Sequence, residues 1–297
     1  MEPQITNQEG SIVSIVVTGA TGHLGRLVVE SLLRRGVPAD QIVAAGRDIS
    51  KIKDFEDQGV QVRHVDFDRP ETLGPVFAGA AKLLLVSGSE PGKRVAQHGN
   101  AIDAAKAAGV GFIAYTSAPR ADTTSLLLAA EHKATEELIR ASGLPFALLR
   151  NDWYFEVYTD QLANWLQHGA ILGAAGDGRV SAATRADYAE AAAVVLTTDG
   201  HEGKVYELAG DEAFTLGELA AEVTRQTGTE VAYRNLPVAE YQQALVGFGL
   251  PEAFAPILAD VDRGIAVGEL HVTSGDLARL IGRPTTPLSA AVAAALA

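Results

Sequence analysis

Ile15-Val16-Val17-Thr18-Gly19-Ala20-Thr21-Gly22-His23-Leu24-Gly25 is a short β-branched apolar run that ends in three glycines with two residues between each and the next. An amphipathic helical pattern starts at once. Strand, glycine turn and helix in this order cradle the pyrophosphate of a dinucleotide, because the bare backbone lets it approach and the helix's first N–H groups point at its charge. Gly19 is expected to make the tight turn, Gly22 to leave room for the phosphates, and Gly25 to let the helix pack closely on the strand. Thr21, His23 and Leu24 lie in the same turn and join these expected contacts, His23 through its backbone N–H. The spacing is Gly-x-x-Gly-x-x-Gly rather than the commoner Gly-x-Gly-x-x-Gly, which points to a particular branch of the fold.

Working outward, apolar strand patterns alternate with helical ones at a regular beat. Strands are expected at Ile12–Thr18, Ile42–Ala45, Val60–Val65, Lys82–Ser87, Phe112–Thr116 and Phe146–Leu149. Helices are expected at His23–Arg34, Ile49–Gln58, Glu71–Phe77, Gly92–Ala108 and Ser125–Ala141. Gly36, Gly59, Gly109 and Gly143 each stand just beyond a helical stretch, where glycine readily takes the left-handed conformation that ends a helix. Short, wholly apolar strands suit a sheet covered on both faces. The pattern predicts an α/β, Rossmann-type doubly wound parallel sheet over residues 11–150, with ligands outside the carboxyl ends of its strands. After Arg150 the beat changes. Trp153–Gln167, Arg185–Thr198, Thr215–Gln226, Ala239–Phe248, Pro251–Ile265 and Ser274–Ile281 read as helices, Gly173–Gly178 as a turn and Glu230–Arg234 as a short strand. Residues 151–297 are therefore expected to form a smaller, mainly helical C-terminal substrate lobe, with Val205–Leu208 returning a strand to the sheet. A cleft between the two would hold the substrate.

The strand ends carry the chemistry. Ala45-Gly46-Arg47-Asp48 closes the second strand, with Lys51 one helical turn on. A basic residue here accommodates the 2′-phosphate of NADP, where an acid would bind the ribose of NAD. The alternative is a surface arginine paired with Asp48. Asp66 and Phe67 follow the third strand, placed to meet an adenine or to form a surface turn. Ser87-Gly88-Ser89 leaves room for ribose and nicotinamide, and Thr116-Ser117 can hydrogen-bond ribose or substrate. No Tyr-x-x-x-Lys pair, the usual proton donor and ribose anchor of short-chain dehydrogenases, follows the fifth strand. In its place stands His132-Lys133-Ala134-Thr135-Glu136. His132 and Glu136 share a helix face, as a proton-handling pair or a plain intrahelical contact, and Lys133 is a ribose-binding candidate. The remaining histidines, His64, His98, His168, His201 and His271, read as surface or loop residues and form no metal-ligand pattern. Leu149-Arg150-Asn151-Asp152-Trp153-Tyr154-Phe155 follows the sixth strand. Asn151 can bond the nicotinamide amide, while Trp153, Tyr154 and Phe155 offer flat apolar surface to a planar ring or, alternatively, only the core of the second lobe; Asn151 and Tyr154 are catalytic candidates, Trp153 and Phe155 substrate-binding ones.

Composition narrows the class. The 297 residues are 47% hydrophobic and 21% charged, as in an ordinary globular enzyme. No apolar run approaches the roughly 18 residues of a membrane span. Met1 to Gly10 is polar and acidic and does not read as a signal peptide. The net charge of −13 opposes nucleic-acid binding, which draws on Lys and Arg. The absence of cysteine removes thiol catalysis, disulfides and cysteine metal sites, and fits a cytoplasmic protein.

These strings resemble one family, the NmrA-like atypical short-chain dehydrogenase/reductases, and within it the bacterial type 2 NAD(P)H:quinone oxidoreductases, with triphenylmethane reductases more distant. The resemblance runs from about Ile15 almost to the C-terminus. Besides the glycine turn it rests on Gly111-Phe112-Ile113-Ala114-Tyr115-Thr116-Ser117, Leu148-Leu149-Arg150-Asn151-Asp152-Trp153-Tyr154, Gly173-Ala174-Ala175-Gly176-Asp177-Gly178 and Ala183-Thr184-Arg185-Ala186-Asp187-Tyr188. Gly200 to Gly210 and Leu280 to Thr286 extend it. It implies NADPH along the strand ends, with Gly19 to Gly25 and Arg47 as phosphate sites. It also implies direct hydride transfer to a quinone or similar planar acceptor, a small-molecule partner, with self-association into a homo-oligomer left open. The missing acid then becomes intelligible, since a quinone is itself a good hydride acceptor. The chain departs from the family at Asp152 and Phe155, where relatives have small residues, and at Ala118-Pro119-Arg120, which implies a pocket of altered size and charge. A redox-sensing regulator that binds NADP without turnover, or a reductase of ketones, imines or dyes, are the alternatives.

Overall fold

The computed structural model describes residues 14–297, so Ile12 and Val13 of the expected first strand lie outside the described residues. Along the chain the elements are β1 (Ser14–Val17), α1 (His23–Arg34), β2 (Ile42–Gly46), β3 (Gln61–His64), α2 (Gly74–Phe77), β4 (Ala80–Leu85), α3 (Arg94–Ala107), β5 (Phe112–Ser117), α4 (Ala129–Ser142) and β6 (Phe146–Asn151). There follow α5 (Phe155–Thr159), α6 (Leu162–His168), β7 (Ala170–Gly173), α7 (Arg185–Thr197), β8 (Lys204–Leu208), α8 (Leu216–Thr227), β9 (Ala232–Asn235), α9 (Val238–Gly247), α10 (Ala255–Ala266), α11 (Asp276–Ile281) and α12 (Leu288–Leu296).

Seven strands form one sheet in the order β3-β2-β1-β4-β5-β6-β8. The pairings from β3 through β6 are all parallel. The order reverses between β1 and β4, the switch point at which a doubly wound sheet opens its ligand crevice. All residues of β2 and β5 are buried, which explains their unbroken apolar sequences. Thr18 links the strands at this point: its hydroxyl donates to Leu84 O at 3.0 Å and accepts from Val86 N–H at 3.1 Å.

Two compact units divide the chain. The first holds residues up to Ser117, Glu131–Arg150 and Arg185–Tyr206; the second holds Ala118–Ala130, Asn151–Thr184 and Glu207–Ala297. The alanine-rich α7 thus belongs to the sheet unit, where it packs on α1. The second unit pairs β7 with β9 in a small parallel sheet and surrounds a core that includes Phe155, Trp165, Phe214 and Leu219.

Several elements differ from the sequence expectation. Trp153–Gln167 is not one helix. Ala183 N–H bonds Trp153 O and Phe155 N–H bonds Ala183 O, both at 3.0 Å, so the backbone stays extended until Phe155. A turn at Asp160-Gln161 then separates α5 from α6. Ile49–Gln58 is 3-10 in type and kinked at Ile52. Gly173 ends strand β7 instead of opening a turn. Helix α12 was not anticipated: its run of alanines carries no polar stripe to set a period.

Candidate active site

The turn after β1 has the geometry its glycines require. Gly19 has φ +64, a conformation that side chains rarely adopt. A Cβ on Gly25 would stand 2.3 Å from Gly19 O, so only glycine lets α1 rest on the turn. A Cβ on Gly22 would meet nothing nearer than 3.4 Å, so that face is open. Helix α1 begins at His23 with no side-chain cap, which leaves its first N–H groups for a ligand.

These residues line a cavity of about 250 Å³ at the carboxyl ends of β1, β2 and β4. Gly19, Thr21, Gly22, His23, Leu24, Gly25, Arg47, Asp66, Phe67, Ser87, Gly88 and Ser89 all reach it. Gly46, Glu90 and Gln97, which the sequence reading passed over, join them. An open backbone cradle, an uncapped helix start and a basic rim fit a dinucleotide pyrophosphate. Arg47 is paired with Glu90 Oε1 at 2.6 Å, and not with Asp48. Glu90 is also bonded to Lys93, and the two cations hold its carboxyl below the usual range.

Four expected cofactor residues do not line this cavity. Lys51 is exposed, 3.9 Å from Asp48 Oδ2. Lys133 is exposed on α4. Thr116 is buried and accepts Ser87 N–H at 2.9 Å, so it shapes the loop rather than facing the cavity. Ser117 donates to Glu136 Oε1 at 2.7 Å.

Helix α4 corrects the expected proton pair. Glu136 is nearly fully buried and takes Arg150 in a two-pronged contact, Nε to Oε1 at 2.9 Å and Nη2 to Oε2 at 2.7 Å. His132 instead shares a hydrogen bond with Tyr115 Oη at 2.8 Å. Burial, with Arg94 and His98 adding, pulls its imidazole down to about 3, so at neutral pH it is uncharged. The pair the spacing suggested does not form, because this helix face lies against β5, where Tyr115 and Ser117 satisfy each member separately.

His98 is the histidine the sequence reading misplaced. It is fully buried on α3, and its Nε2 accepts Gly88 N–H at 2.9 Å. Its proton must then sit on Nδ1, facing Thr135 Oγ1 at 2.9 Å. Arg94 Nε donates to Gly88 O at 2.8 Å and pairs with Glu131. The Ser87–Ser89 loop is thereby pinned from α3 and α4, by residues no local pattern marks. His201 is also buried, bonded to Thr198 and Tyr206.

The cluster after β6 separates into distinct roles. Asn151 Nδ2 donates to Tyr154 Oη at 3.2 Å, while its buried Oδ1 has no partner. Asp152 is buried with both carboxylate oxygens unpartnered. Burial and the charge of Glu207 push its carboxyl well above the usual range, against the pull of Arg120. Trp153 lines a second cavity, of about 590 Å³, within the second unit. Phe155 does not: it is 2% exposed and stacks on Phe214 with centroids 5.3 Å apart. Its expected place on an open wall is corrected to the core, because α5 starts at this residue and turns it inward.

A glycine turn feeding an uncapped helix at the switch point of a parallel sheet, with a basic side chain closing β2, defines an NAD(P)H-binding α/β protein. A family model described as NAD(P)H-binding matches residues 19–199. Quinone oxidoreductase 2 of Escherichia coli (strain K12) is 52% identical over 278 residues, covering 94% of this chain and 97% of that protein. The crystal structure of the NADPH-dependent quinone oxidoreductase of Escherichia coli with NADPH superposes with a TM-score of 0.92, at 51% identity over 95% of this chain and 100% of that one. The Citrobacter sp. triphenylmethane reductase complexed with NADP(H) superposes at 0.91, with 42% identity over 95% and 100%. An NmrA-like family domain-containing oxidoreductase of Aspergillus flavus is 30% identical, covering 92% of this chain and 91% of that protein. The chain belongs to the NmrA-like NAD(P)H-binding family.

Proposed function

We propose that the protein is an NADPH-dependent oxidoreductase that passes hydride to a quinone. The observation that carries this is the state of α4. Where an acid would serve a carbonyl reductase, His132 is buried and neutral and Glu136 is locked to Arg150 and Ser117. The suitable acceptor is one whose ring takes hydride without a strong acid. NADPH, when bound, supplies that hydride. A quinone that gains one hydride and one proton becomes a hydroquinone, the proton coming from solvent and the dinucleotide leaving oxidised.

The chain's own residues hold the reactants. N–H groups at the start of α1 would take the pyrophosphate, and Arg47 would release or share Glu90 to take a 2′-phosphate. Asn151 Oδ1 is a buried acceptor without a partner. Tyr154, bonded to Asn151, would orient that side chain. Among the described residues no helix is long and apolar enough to cross a membrane. A cytoplasmic setting, where reduced dinucleotide is available, belongs to the same reading.

Purified protein mixed with NADPH and benzoquinone tests it. Catalytic loss of NADPH absorbance is expected. Tight NADPH binding with no turnover on any quinone, dye or ketone would favour a redox-sensing regulator instead.

A further inference from the structure

Beyond the glycine turn, two loops line the first cavity: Asp66-Phe67 after β3 and Ser87-Gly88-Ser89 after β4. Both rest on α3. Arg94, Gln97 and His98 are three and four residues apart, so their side chains leave the helix on one face. Toward β3, Gln97 Nε2 donates to Asp68 Oδ2 at 3.1 Å and Asn100 Nδ2 to Phe67 O at 2.8 Å. The His98 ring meets the Phe67 ring edge-on, with centroids 6.2 Å apart. Toward β4, Arg94 Nε holds Gly88 O and His98 Nε2 accepts Gly88 N–H. A Cβ on Gly88 would stand 3.1 Å from Gln97 Oε1 and 3.7 Å from His98 Nε2, so this loop lies directly on the helix.

We propose that His98 is a positioning residue for the cofactor, joining the loops after β3 and β4 into one wall that is set before NADPH arrives. This deepens, and rests on, the reading that NADPH enters the first cavity. His98 is fully buried behind the loops, where an apolar side chain would carry no polar group to satisfy. Both of its nitrogens are used outside its own helix. Thr135 of α4 takes the proton on Nδ1 and passes its own hydroxyl proton to Glu131 O at 2.9 Å. That leaves Nε2 as an acceptor, the role a backbone N–H requires. Burial first, then Arg94, pulls the imidazole down to about 3, so the acceptor persists at neutral pH. Glu131 extends the brace along the chain after β4, accepting Gly92 N–H at 3.0 Å and Arg94 Nη1 at 2.9 Å. All these residues belong to the first unit. A loop fixed in advance loses less freedom when its ligand binds, so the brace contributes to affinity without touching the ligand.

Asparagine and glutamine separate the two ring nitrogens. In His98→Asn the amide lies near the place of Nδ1 and nothing replaces Nε2. In His98→Gln the longer side chain brings an acceptor oxygen back to Gly88 N–H. Both variants lose the ring's contacts with Phe67 and Tyr115, so urea unfolding should show similar losses of stability. Calorimetric titration should find NADPH about five- to tenfold weaker in His98→Asn, the scale of one hydrogen bond, with most of that recovered in His98→Gln. With benzoquinone as acceptor, the KM for NADPH should rise in His98→Asn while the KM for the quinone holds. Nitrogen-15 NMR of the unmodified protein needs no variant. His98 Nε2 should shift when NADPH is added, whereas the ring nitrogens of His201, bonded to Thr198 and Tyr206, should not. Equal NADPH affinity in the two variants, or an unmoved His98 signal, makes His98 a packing residue; it overturns the proposal and leaves the reductase reading intact. The expected affinity pattern without NADPH oxidation on any quinone keeps the role of His98 and overturns the reductase reading instead.

Discussion

The cavity at the carboxyl edge of the sheet has five glycines in its wall, whereas that of the second unit has two tryptophans, two tyrosines, a phenylalanine and the buried Asp262. The first offers backbone groups suited to phosphate, which cannot change unless the turn itself changes. The second offers side chains that can be replaced singly. Their supports differ in the same sense. The loop that closes the first is pinned by His98 and Arg94, which bond the N–H and the carbonyl of Gly88. The second leaves Tyr158 Oη unpaired and one oxygen of Asp262 without a hydrogen bond. Rigid satisfaction suits a site that must hold one constant cofactor. Open polar groups suit a site that a substrate completes.

The contrast is broken most severely at Glu136. Glu136→Ala leaves Arg150 buried without its carboxylate and should cost about 3–5 kcal/mol of stability, measured by urea unfolding. Gly22→Val should leave the fold intact yet weaken NADPH by more than about 100-fold, read by calorimetry, because the new side chain fills the open face over the turn. Gly25→Val should instead fail to fold stably, since its Cβ would strike backbone at 2.3 Å. The two substitutions separate ligand space from packing space within one turn.

The two regions should also respond to pH with opposite sign. His98 and His132 are each pulled from 6.5 down to about 3 by burial first. The unfolded chain takes up protons there that the folded one refuses, so stability is lost as pH falls from 6.5 toward 3. Asp262 is raised from 3.8 to about 6. Below 3.8 both states hold its proton. Between 3.8 and 6 only the folded state does, so stability falls as pH rises, and the penalty is constant above 6. Asp262→Asn should therefore stabilise the protein at pH 8 by at most about 3 kcal/mol, with the gain vanishing by pH 4. A denaturation series across pH on both proteins checks this, and a gain independent of pH would refute it.

Smaller effects sharpen the cofactor side. Arg47→Ala should weaken NADPH by about 1–3 kcal/mol and leave NADH nearly unchanged. Glu90→Gln frees Arg47 from an exposed pair and should tighten NADPH slightly. Equal changes for both dinucleotides in either variant would show that Arg47 does not read the 2′-phosphate.

What the sequence determined by itself is local. The run from Ile15 to Gly25 specified strand, turn and helix because β-branching, glycine spacing and helical period act between near neighbours. Helix α1 occupies His23–Arg34 as the pattern required. Strand ends follow from strands, so Arg47 and Ser87–Ser89 were legible as lining residues before any coordinates. What only the tertiary structure decided is the choice of distant partners. His132 and Glu136 look like a pair four residues apart, but Tyr115, Ser117 and Arg150 offered each a better hydrogen bond. Trp153 and Phe155 stand two residues apart in one aromatic string. The strand-like bonds from Ala183 hold the chain extended up to Phe155, so that Trp153 lines the cavity and Phe155 stacks in the core. Asp262, more than a hundred residues from Trp153, meets it across the same cavity. No period or spacing encodes such meetings, because long side chains choose their partners by burial and geometry after the backbone has brought remote segments together.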